Sequence, residues 1–300
     1  MTLASDLHES VEFIADERPM AKPGAATRTT AKSATSARTA SRTTAARPAI
    51  DEDPARWARV LLDSTLSVAE RSAALEQISA DGIIRAVLTA YDHTTVAISS
   101  AFGPSGLCLI DMAQKVVPDV EVYFIDTGFS FAETDEVVTR WRGERGLNVK
   151  RMLPILTPDE QAIQHGPELW ARDPDRCCRM RKIEPNLRAL AGKLVWITAL
   201  RRDQAETRAQ IPLLQEVTLE NGQTLLKVCP LARWRKSDVW RYIMQHELPY
   251  NQLHDRGYPS VGCTHCTHPV GDKANERDGR WAGRAKTECG LHTAPTSAKR

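Results

Sequence analysis

Cysteine is the residue type most able to do chemistry in this chain, and its seven copies are unevenly placed. Cys177-Cys178 and Cys263-Thr264-His265-Cys266 form two clustered pairs, far apart in sequence, that can supply four thiolates to one inorganic centre. Four thiolates suit an iron–sulfur cluster or zinc. Adjacent cysteines diverge in direction, which favours the separate iron corners of a cubane over a single tetrahedral zinc ion, with unmetallated thiols as the remaining reading. His265 and His268 flank the second pair and are also compatible with ordinary loop histidines. Cys108 and Cys229 stand in apolar contexts and read as packing residues. Cys289 differs from all of these, lying between Glu288 and Gly290 in a charge-rich stretch near the C-terminus. Lys286 and His292 could favour its thiolate, and a thiol on such a segment can be delivered to a site and withdrawn. Taken alone, however, a tail cysteine is more often incidental.

The elements that must position these thiols are legible around them. Hydrophobic residues make up 42% of the 300-residue chain, enough for a substantial core, and 40 basic against 38 acidic side chains leave a net charge of only +2. That balance lacks the strong positive field of a general nucleic-acid binder but suits a small anionic substrate. No stretch approaches the roughly 20 apolar residues of a membrane span, and no secretory signal is evident, so a soluble, cytoplasmic protein is expected. In such a reducing compartment disulfides give way to metal ligation or thiol chemistry. Residues 21–50 hold 20 Ala, Ser or Thr, six Lys or Arg and no acid. Residues 1–50 therefore read as a disordered tail, the acidic residues at 6–17 arguing against a transit peptide.

From Trp57 onward helical periodicity sets in, through Val60, Leu61, Val68, Leu75 and Ile78. Val96-Ala97-Ile98, Val120 to Ile125 and Leu194 to Ile197 read as short strands separated by longer amphipathic segments. Thr157-Pro158-Asp159-Glu160 reads as a helix start with a capping box. This alternation predicts an α/β fold, a parallel twisted sheet flanked by helices on both faces. A domain over 51–270 and a C-terminal tail over 271–300 follow, and the stretch after Pro249 looks like loops organised by something other than an apolar core.

Cys177-Cys178-Arg179-Met180-Arg181-Lys182-Ile183-Glu184-Pro185, Arg201-Arg202-Asp203-Gln204, Cys263-Thr264-His265-Cys266 and Glu288-Cys289-Gly290-Leu291-His292 together closely resemble the adenylylsulfate reductases of sulfate assimilation, over about residues 75–292. The resemblance is to the bacterial, cluster-bearing type within the adenylylsulfate and phosphoadenylylsulfate reductase family. It implies an adenine nucleotide α-hydrolase-like fold, one [4Fe–4S] cluster per subunit on Cys177, Cys178, Cys263 and Cys266, and a mobile tail presenting Cys289 as nucleophile. The thiolate would attack the sulfate sulfur of adenosine 5′-phosphosulfate and release AMP. Reduced thioredoxin or glutaredoxin, expected as a separate protein because the chain stops soon after Cys289, would then free sulfite. The cluster is expected to act structurally and electrostatically rather than by exchanging electrons.

By the same resemblance Lys182 serves both cluster and substrate, Arg277 and Arg280 hold phosphate and sulfate, Arg208 contacts phosphate or ribose, and His292 lies over the substrate when the tail closes. Ile125 and Ala199 would border the adenosine. The loop Ser99 to Gly106 resembles the family's modified pyrophosphate loop, with Ser100, Phe102 and Gly103 as contacts, although Ser105 and Gly106 replace its usual acidic pair. Arg284 reads as a solvated charge. Competing readings are a phosphoadenylylsulfate or dual-specificity reductase, a pyrophosphatase-loop ATP enzyme of sulfur transfer, whose expected loop is absent, and a cluster-bearing redox sensor that binds nucleic acid. No membrane or nucleic-acid partner is expected; a homo-oligomer is compatible with the sequence.

Overall fold

The computed structural model describes residues 52–270, 275–284 and 286–292. The tail expected over 1–50 lies outside the described residues. A helical lead-in comes first: α1 (Pro54–Leu62) buries Trp57, Ala58 and Leu61, α2 (Val68–Leu75) starts from a Ser67/Glu70 capping box, and α3 (Ala80–Ala90) is buried along most of its length. Strands and helices then alternate as β1 (Val96–Ser99), α4 (Pro104–Val116), β2 (Glu121–Ile125), α5 (Ala132–Arg145) and β3 (Asn148–Met152). Three short helices follow, α6 (Pro158–His165), α7 (Leu169–Arg172) and α8 (Pro174–Cys178). Thr157 caps α6, accepting from the Glu160 amide at 3.2 Å while Glu160 returns the bond to the Thr157 amide at 2.8 Å. After α9 (Glu184–Leu190) and β4 (Val195–Ile197), a hairpin of β5 (Leu214–Thr218) and β6 (Thr224–Val228) leads to α10 (Lys236–Gln245).

The strands form one sheet in the order β3-β2-β1-β4-β6-β5. Five strands run parallel, as expected, but β5 pairs antiparallel with β6. Its connection to β6 is a short turn, too short for the crossover that parallel pairing requires. Side chains alternate strictly across the sheet. Ile98, Val122, Phe124, Val195 and Ile197 face the main core built with α1, α3, α4, α5 and α10, whereas Ala97, Tyr123, Trp196 and Leu225 face α9. Because β2 lies on one side of β1 and β4 on the other, their carboxyl ends open a crevice at the switch in strand order, the place where such folds bind ligands.

Between α8 and α9 the helix widens into one π-helical turn, Arg179–Ile183, in which the Glu184 amide reaches back to the Arg179 carbonyl. Pro185 accounts for it, since proline has no N–H to give the Arg181 carbonyl and its ring crowds that group. Beyond Pro249 the described residues form short 3₁₀ turns and one isolated bridge between Thr267 and Arg280, in keeping with the loop-rich reading. No helix among the described residues is long and apolar enough to cross a membrane.

Trp141 on α5 is wholly buried and donates Nε1 to the Pro249 carbonyl at 2.9 Å, tying the sheet's helical cover to the start of the C-terminal loops. Trp141→Ala should lower the unfolding free energy by about 3–5 kcal/mol. Trp141→Phe, which leaves that carbonyl unpaired, should cost about 1–3 kcal/mol. Urea denaturation checks both, and a Trp141→Phe variant as stable as the unmodified chain would show the hydrogen bond to be irrelevant.

Candidate active site

At the carboxyl ends of β1, β2 and β4 lies a cleft of about 250 Å³, lined by Ser99, Ser100, Tyr123, Ile125, Thr127 and Ala199 from the sheet side. The loop after β1 carries its chain tightly around Ser100, whose Oγ accepts from the Phe102 amide at 3.0 Å. Gly106 is required there, because a Cβ would collide with Ser100 Oγ. Gly103 caps α4 without a side-chain acceptor, so the first-turn amides are left for an anion. Phe102 does not share the cleft. It adopts a left-handed backbone, φ +55°, and turns its ring into the core against Phe124, 5.6 Å away and nearly perpendicular. Its contribution is to shape the loop, not to present a side chain to a ligand.

Lys182, Arg208, Arg277 and Arg280 converge on the same cleft together with Cys289 and His292. Arg280 approaches the Gly262 backbone so closely that any Cβ at Gly262 would clash with its guanidinium. Burial, followed by the neighbouring Arg208 charge, lowers the Arg277 pKa to about 10 despite the opposing Glu288 carboxylate. The Nε atoms of Arg277 and Arg280 are both buried without a hydrogen-bond partner. Lys182 goes the other way. Burial opposes its charge, yet Cys263 and Cys289 outweigh that cost and raise its pKa. A concave site with more buried cationic donors than acceptors is built for an anion.

A second hollow adjoins the cleft, lined by Cys177, Cys178, Cys263 and Cys266 with Phe129, Trp170, Arg181, Lys182 and His265. All four thiols are buried and none is in a disulfide. Burial pushes Cys178 up to about 12 and also raises Cys177 and Cys266. Cys263 differs because Lys182 and the Thr127 hydroxyl, 3.3 Å from its sulfur, overcome burial and lower its pKa. Arg181, 2% exposed, lies 4.6 Å over the Phe129 ring and donates to the Thr127 carbonyl at 2.9 Å. Its Nε and second terminal nitrogen have no partner. The π-helical turn thus aims two consecutive cations at the hollow, Lys182 also reaching the cleft.

The Trp281 ring lines the cleft, clusters with Cys178, Cys263 and Cys266, and is flanked by Arg280, Arg277 and Lys286 at 4.7, 5.6 and 5.7 Å. The chain around it is zipped to the second cysteine pair, with the His268 amide on the Gly279 carbonyl at 2.9 Å and the Trp281 amide on the Cys266 carbonyl at 3.0 Å. Arg284 is not simply solvated, since it bonds the Trp170 carbonyl beside the ring that stacks on His265 at 4.4 Å. Lys286 pairs with Asp175 on α8. At the far end His292 stacks on Trp196 at 5.2 Å while its carbonyl accepts from Lys227 at 3.2 Å.

Ten of the expected contacts and ligands outside the hollow, all but Phe102, therefore line one cleft, and the four paired cysteines line its neighbour. Arg181 and Glu288, within the motif segments, and Trp281, outside them, have no role assigned from sequence. Arg201, 1% exposed, is a further one, its guanidinium held by Ser105, Asp203 and Glu276. Its place at the head of the Arg201-Arg202-Asp203-Gln204 motif was the available signal for it.

The sequence model of the phosphoadenosine phosphosulfate reductase domain matches residues 95–269, more than half of the chain. The chain belongs to this family. Among its relatives, the adenosine 5′-phosphosulfate reductase of Bacillus mycoides (strain KBAB4) is 44% identical over 221 residues, covering 72% of this chain and 93% of the relative. The corresponding reductase of Geobacillus thermodenitrificans (strain NG80-2) is 46% identical over 198 residues, or 66% and 83%. The crystal structure of phosphoadenylyl-sulfate (PAPS) reductase from Candida auris, a phosphate complex, is 28% identical with a TM-score of 0.58, covering 68% of this chain and 98% of that one. Family membership agrees with the resemblance read from the four motifs and with the sheet described above.

The docked tail carries a pH dependence of known sign. Burial, then Lys227, Arg208 and Arg277, hold the His292 imidazole well below its ordinary value of 6.5. Docking is therefore complete above 6.5 and weakens as pH falls through that value toward the depressed one. An NMR titration should give His292 a midpoint below 6.5 that moves back toward it in Trp196→Ala. A midpoint at or above 6.5 in the unmodified chain would contradict the docked geometry.

Proposed function

We propose that this chain reduces adenosine 5′-phosphosulfate to sulfite and AMP in sulfate assimilation, with Cys289 as nucleophile. The observation that carries the reading is that Cys289 lines one cleft with Lys182, Arg208, Arg277 and Arg280 at the switch in strand order. The Cys289 thiolate attacks the sulfate sulfur, forming an S–S bond. The bond from that sulfur to the phosphate oxygen breaks, and its electron pair leaves with AMP. Charge developing on the leaving phosphate is met by fixed guanidinium and ammonium groups, which need no reorganisation. Arg277 and Arg280, with buried nitrogens lacking partners, suit the phosphosulfate, and Lys182 bridges toward the sulfonyl end. Ser100 and Gly103 border the anion near α4, Ile125 and Ala199 border the adenosine, and His292, neutral, closes over it.

A thiolate of reduced thioredoxin or glutaredoxin then attacks the Cys289 sulfur and expels sulfite with its electron pair. The partner's second thiol resolves the mixed disulfide, so the two electrons that convert sulfate sulfur to sulfite come from the dithiol. The setting is cytoplasmic, where such reductants are kept reduced.

Cys177, Cys178, Cys263 and Cys266 hold one [4Fe–4S] cluster per chain. The donor set fits. Four buried thiols border one hollow, the all-sulfur donor set that such a cluster takes. The unpartnered nitrogens of Arg181 are the donors that an anionic cluster would satisfy. When bound, the cluster supplies a fixed negative body that orients Arg181 and Lys182.

The test is anaerobic sulfite release from adenosine 5′-phosphosulfate with reduced thioredoxin. Cys289→Ser should abolish turnover and retain the visible absorption of the cluster, whereas Cys263→Ser should lose that absorption. Retained turnover in Cys289→Ser would overturn the assignment of the nucleophile. The relatives named for the unphosphorylated nucleotide are 43–46% identical, against 28% for the phosphoadenylyl-sulfate reductase. Accordingly kcat/KM should be higher for adenosine 5′-phosphosulfate than for its 3′-phosphorylated form, and the reverse order would reassign the substrate.

A further inference from the structure

The residue before the nucleophile is bound where a substrate anion would be. Glu288 sits on Arg208 in a bidentate pair, Nε to Oε1 and a terminal nitrogen to Oε2, both at 2.8 Å. The same Oε2 accepts from Arg277 at 3.0 Å, and Thr207 Oγ1 approaches Oε1 at 3.4 Å. The remaining Arg208 nitrogen donates to Gln204 at 2.7 Å. Only 13% of the Glu288 side chain is exposed, against 10% for Arg208 and 16% for Arg277. Both arginines line the cleft, so one intramolecular carboxylate occupies the donors of two of its cations.

Resting on the function proposed above, we infer that Glu288 is a positioning residue, which holds Cys289 at the cleft through Arg208 and Arg277 and competes with the nucleotide phosphate for them. Planar, two-point pairing fixes the direction of the side chain as well as its distance, which a single contact would not. The peptide unit to Cys289 follows immediately, so the thiol inherits that placement. Of the other anchors nearby, the Arg277 donation to the Thr287 carbonyl at 3.1 Å and Lys286 on Asp175 fix the approach of the chain, and His292 on Trp196 and Lys227 holds it three residues beyond Cys289.

Competition follows from the charge count. Two partly buried guanidinium groups share one carboxylate, and Arg208 already disfavours the charge on Arg277. Removal of the carboxylate leaves two cations facing each other, a state that a phosphate dianion relieves more strongly than it relieves the paired form. Loss of Glu288 should therefore separate two properties that ordinary damage to a site lowers together: nucleotide binding tightens while chemistry slows.

Glu288→Gln keeps the size of the side chain and removes its charge. By calorimetry AMP should bind this variant about tenfold more tightly than the unmodified chain, the scale of one charge-assisted contact. In single turnover at saturating adenosine 5′-phosphosulfate, S-sulfonation of Cys289 followed by mass spectrometry should slow about tenfold or more on the same scale. Glu288→Asp, which keeps the charge, should bind AMP as the unmodified chain does and recover part of the rate. An unchanged or weaker AMP affinity in Glu288→Gln, an unchanged rate, or an Asp variant that binds AMP as tightly as the Gln variant would each overturn the inference. An unmodified chain that binds AMP and becomes S-sulfonated upholds the proposed function whatever the Glu288 variants do. One that does neither overturns that function and this inference with it.

Discussion

Five cations, Arg181, Lys182, Arg208, Arg277 and Arg280, are gathered at one end of the sheet, largely out of water, and each must be answered by an anion. Charge in such a place is costly unless paired. The structure meets the demand unevenly. Lys182 has thiol sulfurs beside it and keeps its proton more firmly for that reason, whereas burial lowers the pKa of Arg181 and Arg277, each with a buried nitrogen that has no partner. The uneven compensation divides the region into a thiol-lined hollow and an anion cleft with Lys182 common to both.

Backbone geometry makes such crowding possible. The strand order places the ends of β1, β2 and β4 around one crevice, and the Pro185-induced π-helical turn directs Arg181 and Lys182 to neighbouring spaces from successive positions. Glycine serves where backbone must come near, Gly106 against Ser100 and Gly262 against Arg280. Phe102 illustrates the opposite device, a strained left-handed residue whose buried ring offsets the strain and secures the turn of the loop.

The C-terminal layer has few apolar residues, and its organisation is correspondingly polar and sulfur-based. The pairing of Thr267 with Arg280, the Trp281 amide on Cys266 and the Trp281 ring on three of the paired cysteines make the second cysteine pair and the arginine-bearing segment one unit. Trp281, in the cleft lining and in one cluster with those cysteines, joins the segment of Arg277 and Arg280 to them. Glu288 and His292 then tie the chain on either side of Cys289 to that same cleft.

The sequence by itself determined the α/β alternation, the capped start of α6, the two cysteine pairs, the isolated cysteine and the cations around them, because these depend on local periodicity, turn chemistry and motif spacing. It was silent on β3, β5 and β6. Asn148–Met152 and Leu214–Thr218 are edge strands that bury little, and the antiparallel pairing of β5 with β6 follows from the short turn that joins them. It also placed Phe102 at the ligand and Arg284 in solvent, since a loop residue's backbone dihedral and a long side chain's partner are decided by what packs against them. Only the tertiary structure could show Glu288 paired with Arg208, 80 residues away, or Trp281 in the cleft lining and clustered with the thiols. Which charges meet is a property of folded distance, and charge pairs between segments so distant leave no periodicity in the chain.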